Sequence, residues 1–292
     1  MLIRILMLIA VCSWGWSFVA TKIALEYLTP VELIGLRFVT ALPVLLIIML
    51  SQKKSFKVER KDLLPIIIAA LIVSLHFFIQ VTGIKYTSAT NSGWIIAASP
   101  LALLLLSVVF LKEKLTYRVL LGVGIATVGI LCLISKGHLF SFDWISSTGD
   151  WLVLASAFTW SVYSVLIRNS SRKYNSLLIT FWVIALASII MIGWMSLTSD
   201  MSKFLYLPLE PIIAVLFLGI VCLGISFWIW QEGVSQMGAG KAGIYLYFIP
   251  LFTTILAVPY LDEKLSFFTV FGGGLVLMGV YIAERKSNQT SK

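Results

Sequence analysis

Residues 111–115 read LKEKL, and 150 positions later residues 261–265 read LDEKL. The shared offset extends well beyond these pentads. Sliding the chain on itself by 150 aligns 91–134 with 241–284 without a gap, and twelve of the 44 positions are identical. Two apolar segments share leucines by chance. Chance does not readily align Gly93/Gly243, Pro100/Pro250, Glu113/Glu263, Lys114/Lys264, Gly122/Gly272, Gly124/Gly274 and Gly129/Gly279 at one offset. The match continues backward through Phe77/Phe227 and Gly83/Gly233, and at an offset of 146 Trp14 and Lys22 fall on Trp160 and Arg168. One unit is written twice.

Composition says what kind of unit. Of 292 residues, 60% are hydrophobic and 12% charged, with a mean hydropathy of +1.00; a soluble domain is roughly 45–50% apolar and about 25% charged. The apolar residues form long runs, over 5–25, 30–50, 63–84, 91–111, 116–135, 149–168, 176–198, 209–231, 240–260 and 265–284. Each is near the ~20 residues a helix needs to cross about 30 Å of hydrocarbon. The first run follows Arg4 but is too long for a signal peptide and carries Trp14 and Trp16, so it reads as a retained helix. Cys12, Cys132 and Cys222 all fall inside apolar runs, as small fillers rather than a disulfide or metal framework.

The expected fold class is therefore an all-α membrane protein of ten transmembrane helices. They form two five-helix repeats, the first over 1–136 and the second over 149–285. Five is odd, so the second copy enters from the opposite side and the repeats are inverted. Inverted repeats belong to alternating-access transporters, whose site lies near the midplane between the halves.

The formal charge of +9 follows the same topology. Counted by loop, 15 Lys and Arg lie on the side that holds both termini and 5 on the other. That bias puts the termini in the cytoplasm, and makes the basic stretch 53–61 a loop beside anionic lipid rather than a nucleic-acid patch.

The segments WGWSFVATKIAL (14–25), LRF (36–38), SP…LKEKL (99–115), GDWLVLASAFTWSVYSVL (149–166) and P…LDEKL (250–265) together resemble the EamA domain pair of the drug/metabolite transporter superfamily. The resemblance covers about residues 5–285. It implies a ten-helix secondary transporter, often an exporter of amino acids or other metabolites, in the bacterial inner membrane. Nothing resembles the lysine-bearing sugar-phosphate antiporters.

Polar groups in lipid are costly unless satisfied, so polar residues at helical spacing mark inward faces. Trp14, Ser17 and Thr21 form one stripe of the first span, His76 and Gln80 one of the third, and Ser156, Trp160 and Tyr163 one of the sixth. Tyr245 precedes Pro250 in the ninth. Trp14, Ser17, His76, Gln80, Trp160, Tyr163 and Tyr245 are the candidate substrate-binding residues. Trp144, Trp151, Trp194 and Tyr206 read as interfacial anchors; Trp228 and Trp230 stay open between anchor and cavity wall. Pro100 and Pro250, about midway along spans 4 and 9, are candidate hinges, with a plain packing kink as the alternative. Glu113 and Glu263 read as structural acids at helix starts. Arg37 also reads as structural, either snorkelling outward or pairing with Glu32 or with another helix's polar groups. The glycines of spans 5 and 10 permit close packing, within one chain or across a homodimer.

No cofactor or metal is expected, and the glycine cluster 271–275 lacks the lysine and context of a phosphate loop. Few fixed charges and aromatic walls suit a neutral, zwitterionic or aromatic solute. The other classes are an integral membrane enzyme acting on lipid and a non-transporting scaffold; thirteen scattered acids and two distant histidines give the first little to work with.

Overall fold

The computed structural model describes residues 2–112, 115–135, 147–261 and 267–284, all helix or connecting turn, with no strand among them. Thirteen α-helical pieces occur in chain order: α1 (Leu2–Leu25), α2 (Pro30–Ser51), α3 (Leu63–Tyr86), α4 (Ala89–Ile95), α5 (Ser99–Leu111), α6 (Tyr117–Ser135), α7 (Thr148–Lys173), α8 (Ser176–Thr198), α9 (Leu209–Leu216), α10 (Ser226–Met237), α11 (Ala239–Ile244), α12 (Ile249–Leu261) and α13 (Phe267–Glu284). Several are segments of longer rods. The described residues hold 8 helices long and apolar enough to cross a membrane, with Tyr117–Gly129 and Phe271–Ala283 as shorter apolar helices. Glu113, Glu263, His138 and Trp144 lie outside the described residues.

Local chemistry sets the helix starts. Thr29 caps α2 with Pro30 behind it: its amide donates to Glu32 Oε2 at 2.7 Å while its hydroxyl accepts from the Glu32 amide. Ser147 and Asp150 form the same reciprocal box at α7 (3.0 and 3.1 Å).

Large apolar side chains fill the core, as Leu33, Phe38 and Leu45 do, and also cover the outside, where Val109, Phe110, Ile189 and Leu197 are well exposed. Serines and threonines face inward. Ser13, Ser156, Ser161 and Thr180 are buried and bond carbonyls three or four residues back in their own helices, at 2.6–2.8 Å. Inward polar groups that bond within their own helix are what a lipid solvent favours, since a buried polar group without a partner is costly.

Packing is close where side chains are absent. A Cβ on Gly122 of α6 would strike the Gly279 carbonyl of α13, one on Gly279 would strike Gly122, and one on Gly129 would lie 2.6 Å from the Gly272 carbonyl. These glycines of α6 and α13 thus meet each other within the chain. Gly15 does the same for α1, whose backbone abuts Phe252 and accepts from Thr253 Oγ1 at 2.9 Å.

Three rods are interrupted. α4 passes into α5 through a 3₁₀ turn, Ile96–Ala98, and α11 into α12 through another, Tyr245–Phe248. Pro100 and Pro250 occupy the second position of α5 and α12, so each follows the tight turn rather than bending a continuous helix. Proline lacks the amide that a continuing helix would use and is tolerated in a first turn. The third interruption, Phe217–Ile225 between α9 and α10, is a π-helical stretch, and nothing in FLGIVCLGI announces it.

Asp62 at the start of α3 bonds Tyr174 Oη (2.6 Å) and Lys173 at the end of α7. At the far ends of the same two helices, Thr87 bonds Asp150. Helices α3 and α7 therefore run antiparallel, with the loop 52–62 and the α7–α8 turn together at one end.

Candidate functional site

The π stretch organises the interior. Its wider turns, closed by bonds to the fifth residue on, present two carbonyls that side chains of other helices also reach. Trp14 Nε1 of α1 donates to the Cys222 carbonyl at 3.0 Å, and Arg37 Nε of α2 to the Leu218 carbonyl at 3.2 Å. Gly219 makes the approach of α2 feasible, since a Cβ there would strike Thr40 and lie 2.8 Å from the Arg37 carbonyl. Around this hub Ser13 and Ser226 share a hydroxyl bond of 2.7 Å.

An aromatic cluster grows on it. Trp14 meets Trp160 edge to face, with centroids 5.1 Å apart, and Trp230 at 5.5 Å; Trp160 also touches Trp230 and Phe227. His76 lies 5.3 Å from Trp160 and 5.0 Å from Phe77. Phe77 faces Phe227 with centroids 6.5 Å apart. Trp14 with Trp160, and Phe77 with Phe227, are the pairs that the two sequence offsets align.

His76 is buried, and its Nδ1 lies 3.0 Å from the Ser156 carbonyl and 3.2 Å from Thr159 Oγ1. A carbonyl only accepts, so Nδ1 carries a hydrogen, and in the neutral ring Nε2 is then the acceptor.

Among these groups lies a partly open cavity of about 50 Å³, with Trp14, Ser17, Arg37, His76, Gln80 and Trp160 on its wall, which Phe18, Phe77, Ser99, Phe227 and three aliphatic side chains complete. A water needs roughly 10–15 Å³ of such space, and a drug-sized ligand occupies a pocket of several hundred. The space has room for a few waters and is far smaller than such a pocket.

Of the sequence-derived candidates, Trp14, Ser17, His76, Gln80 and Trp160 share this cavity. Tyr163 and Tyr245 do not line it; both are buried, Tyr163 behind Trp160 and Phe227 at 5.5 and 5.4 Å. Trp230 is fully buried and donates to Ser164 Oγ at 3.3 Å, which excludes an anchor role. Trp151 and Tyr206 are exposed and Trp194 is partly so. Arg37 neither snorkels nor pairs with Glu32; of the alternatives, it meets another helix's polar group, the Leu218 carbonyl. It is 4% exposed, and Glu32 is held by Thr29 and Lys203. The helix geometry explains this, because Arg37 shares its inward face with Phe38 and Ala41 while Glu32 remains at the capped end. Phe77, Ser99 and Phe227 were not among the candidates. Only the repeat match Phe77/Phe227 pointed toward two of them.

Comparison with known proteins agrees with this architecture. The model of the EamA-like transporter family matches residues 1–135 and 147–284. An uncharacterized transporter of Archaeoglobus fulgidus is 31% identical over 98% of both chains. The uncharacterized transporter YyaM of Bacillus subtilis is 26% identical over 92% of this chain and 89% of its own. A solved crystal structure, 20% identical, superposes with a TM-score of 0.78 over 96% of this chain and 97% of that one, a likeness of fold. This multi-pass helical membrane protein belongs to the EamA-like transporter family.

Proposed function

We propose that the protein carries a small metabolite across the inner membrane by alternating access between two inverted five-helix halves, with both termini cytoplasmic. Amino acids and related neutral, zwitterionic or aromatic solutes, moved outward, fit best. The observation that carries the reading is the aromatic cavity, whose wall takes Trp14, His76 and Gln80 from the first half and Trp160 and Phe227 from the second. Side chains from both halves on one wall are what a rocking mechanism requires, since relative motion of the halves opens and closes the space. The paired breaks before Pro100 and Pro250, both next to the wall residues Ser99 and Ile249, offer places to bend.

The test is purified protein in liposomes loaded with a panel of amino acids and aromatic metabolites. Saturable flux of at least one solute is the expected result; turnover of bilayer lipid without solute flux would assign the chain to lipid chemistry instead. Orientation is read with single cysteines in a background lacking Cys12, Cys132 and Cys222. One at Lys54 should resist an impermeant thiol reagent in intact cells, and one at Ser202 should react. Equal labelling would defeat the inverted arrangement.

A further inference from the structure

Arg37 sits on the cavity wall with 4% of its surface exposed. A buried cation is expensive unless a counter-charge meets it, and no acidic side chain among the described residues pairs with this one. Two contacts hold it. Nε donates to the Leu218 carbonyl at 3.2 Å, and the guanidinium carbon lies 4.4 Å from the centre of the Phe77 ring. Both orient the planar group, and neither neutralises it. The terminal nitrogens, which carry its remaining N–H groups, take no acceptor among the described residues.

Two neighbouring donors share that condition. Trp160 Nε1 and Ser99 Oγ are buried without a partner, and both residues belong to the same wall. The indole nitrogen can only donate. The wall therefore holds a fixed cation and a surplus of donors, flanked by Trp14, Phe77 and Phe227. Its complement is an anionic oxygen group on an apolar body.

We infer that Arg37 is the anchor for the carboxylate of the transported solute, its planar fork matching the two carboxylate oxygens while the ring cluster takes the apolar side chain. The inference rests on the transport reading above and narrows it: the site takes monocarboxylates, zwitterionic amino acids among them, and discriminates against the same skeleton without the acid. The residue read from sequence as structural becomes the specificity determinant.

L-tryptophan, L-phenylalanine and L-leucine, each against its amide, test this in liposomes and by thermal stabilisation of the detergent-purified protein. The wild type should prefer acid over amide by about ten- to hundredfold, the range for a hydrogen bond to a charged group. Arg37→Gln should bring that ratio close to one, with Arg37→Lys in between. The preference is read on the wild type, so a variant that fails to fold does not remove the test. Equal handling of acid and amide by the wild type would overturn the anchor and leave transport standing. So would an amide carried only in chloride and not in methanesulfonate, because the anion would then be an inorganic co-ion. Wild-type preference unchanged in a folded Arg37→Gln would also overturn it. Absence of flux for every solute in the wider panel would remove the transport reading itself.

Discussion

Trp14 and Trp160 meet edge to face at 84°, yet only one of them has spent its hydrogen bond. Trp14 Nε1 donates to the Cys222 carbonyl, whereas Trp160 Nε1 is buried without a partner. Positions aligned at the offset of 146 thus hold the same side chain in different chemical conditions. Trp14 ties α1 to the π stretch, and Trp160 keeps a donor in reserve on the wall.

Trp14→Phe should therefore destabilise the protein, by about 0.5–1.5 kcal/mol for a lost buried hydrogen bond. Trp160→Phe removes an unsatisfied donor while keeping an aromatic ring, and should leave the melting temperature in detergent unchanged or slightly raised. Solute affinity should fall in Trp160→Phe. Equal destabilisation by the two substitutions would contradict the assignment.

His76 holds Nδ1 on the Ser156 carbonyl and lines the cavity, and under the proposed transport its Nε2 would face the solute. His76→Ala should weaken binding by roughly five- to hundredfold, for a lost contact of about 1–3 kcal/mol, without loss of monodispersity. His76→Gln should scale flux at every pH and leave the shape of the pH profile unchanged. An abolished pH dependence would instead make the imidazole a proton carrier.

The glycine contact between α6 and α13 predicts a positional contrast. Gly279→Ala drives a methyl into the Gly122 carbonyl, while a Cβ on Gly274 meets nothing within 4 Å. Gly279→Ala should cost about 1–3 kcal/mol as an overpacked contact, and Gly274→Ala should be neutral or mildly stabilising through helix propensity. Thermal melts of the two variants side by side decide it.

If the turns before Pro100 and Pro250 bend during exchange of access, Ala at either position should slow flux more than it weakens binding. Restoring an amide lets a continuous helix form and stiffens the break. Unchanged flux in both single variants would return these prolines to static packing.

The end of the molecule that holds the loop 52–62 gives a pH prediction. Hydrogen bonds from Lys173 and Tyr174 hold the Asp62 carboxyl below its ordinary range, and those from Lys61 and Lys173 do the same for Glu59. Asp62 and Glu59 in turn push Lys173 above its ordinary value. Depressed carboxylates stabilise above their unfolded values and lose that contribution as pH falls through the folded ones. A raised lysine contributes below its unfolded value and loses the effect only as pH climbs through the folded one. The difference between wild type and Lys173→Met should thus be level near neutrality and vanish as pH falls below about 4, the ordinary carboxylate range. These groups are exposed, so added salt should shrink the difference as well. A gap that persists at low pH and high salt would point to packing.

Runs of about twenty apolar residues have no stable place in water, so a multi-pass helical fold was readable from composition and run length alone. Helical spacing was equally informative about faces: His76 and Gln80 share a wall because they are four residues apart, whatever their neighbours. Spacing says nothing about what lies across the gap. Tyr163 has the same stripe logic as Trp160, yet it falls behind that ring because the cavity's edge is drawn by α10. Arg37 is invisible as a wall residue in LRF, since its direction depends on how α2 is rotated against the π stretch. The contacts on that stretch are a product of the tertiary fold: the Leu218 and Cys222 carbonyls accept from Arg37 and Trp14, whose helices lie some 180 to 210 residues distant in the chain, and no local spacing can bring such groups together.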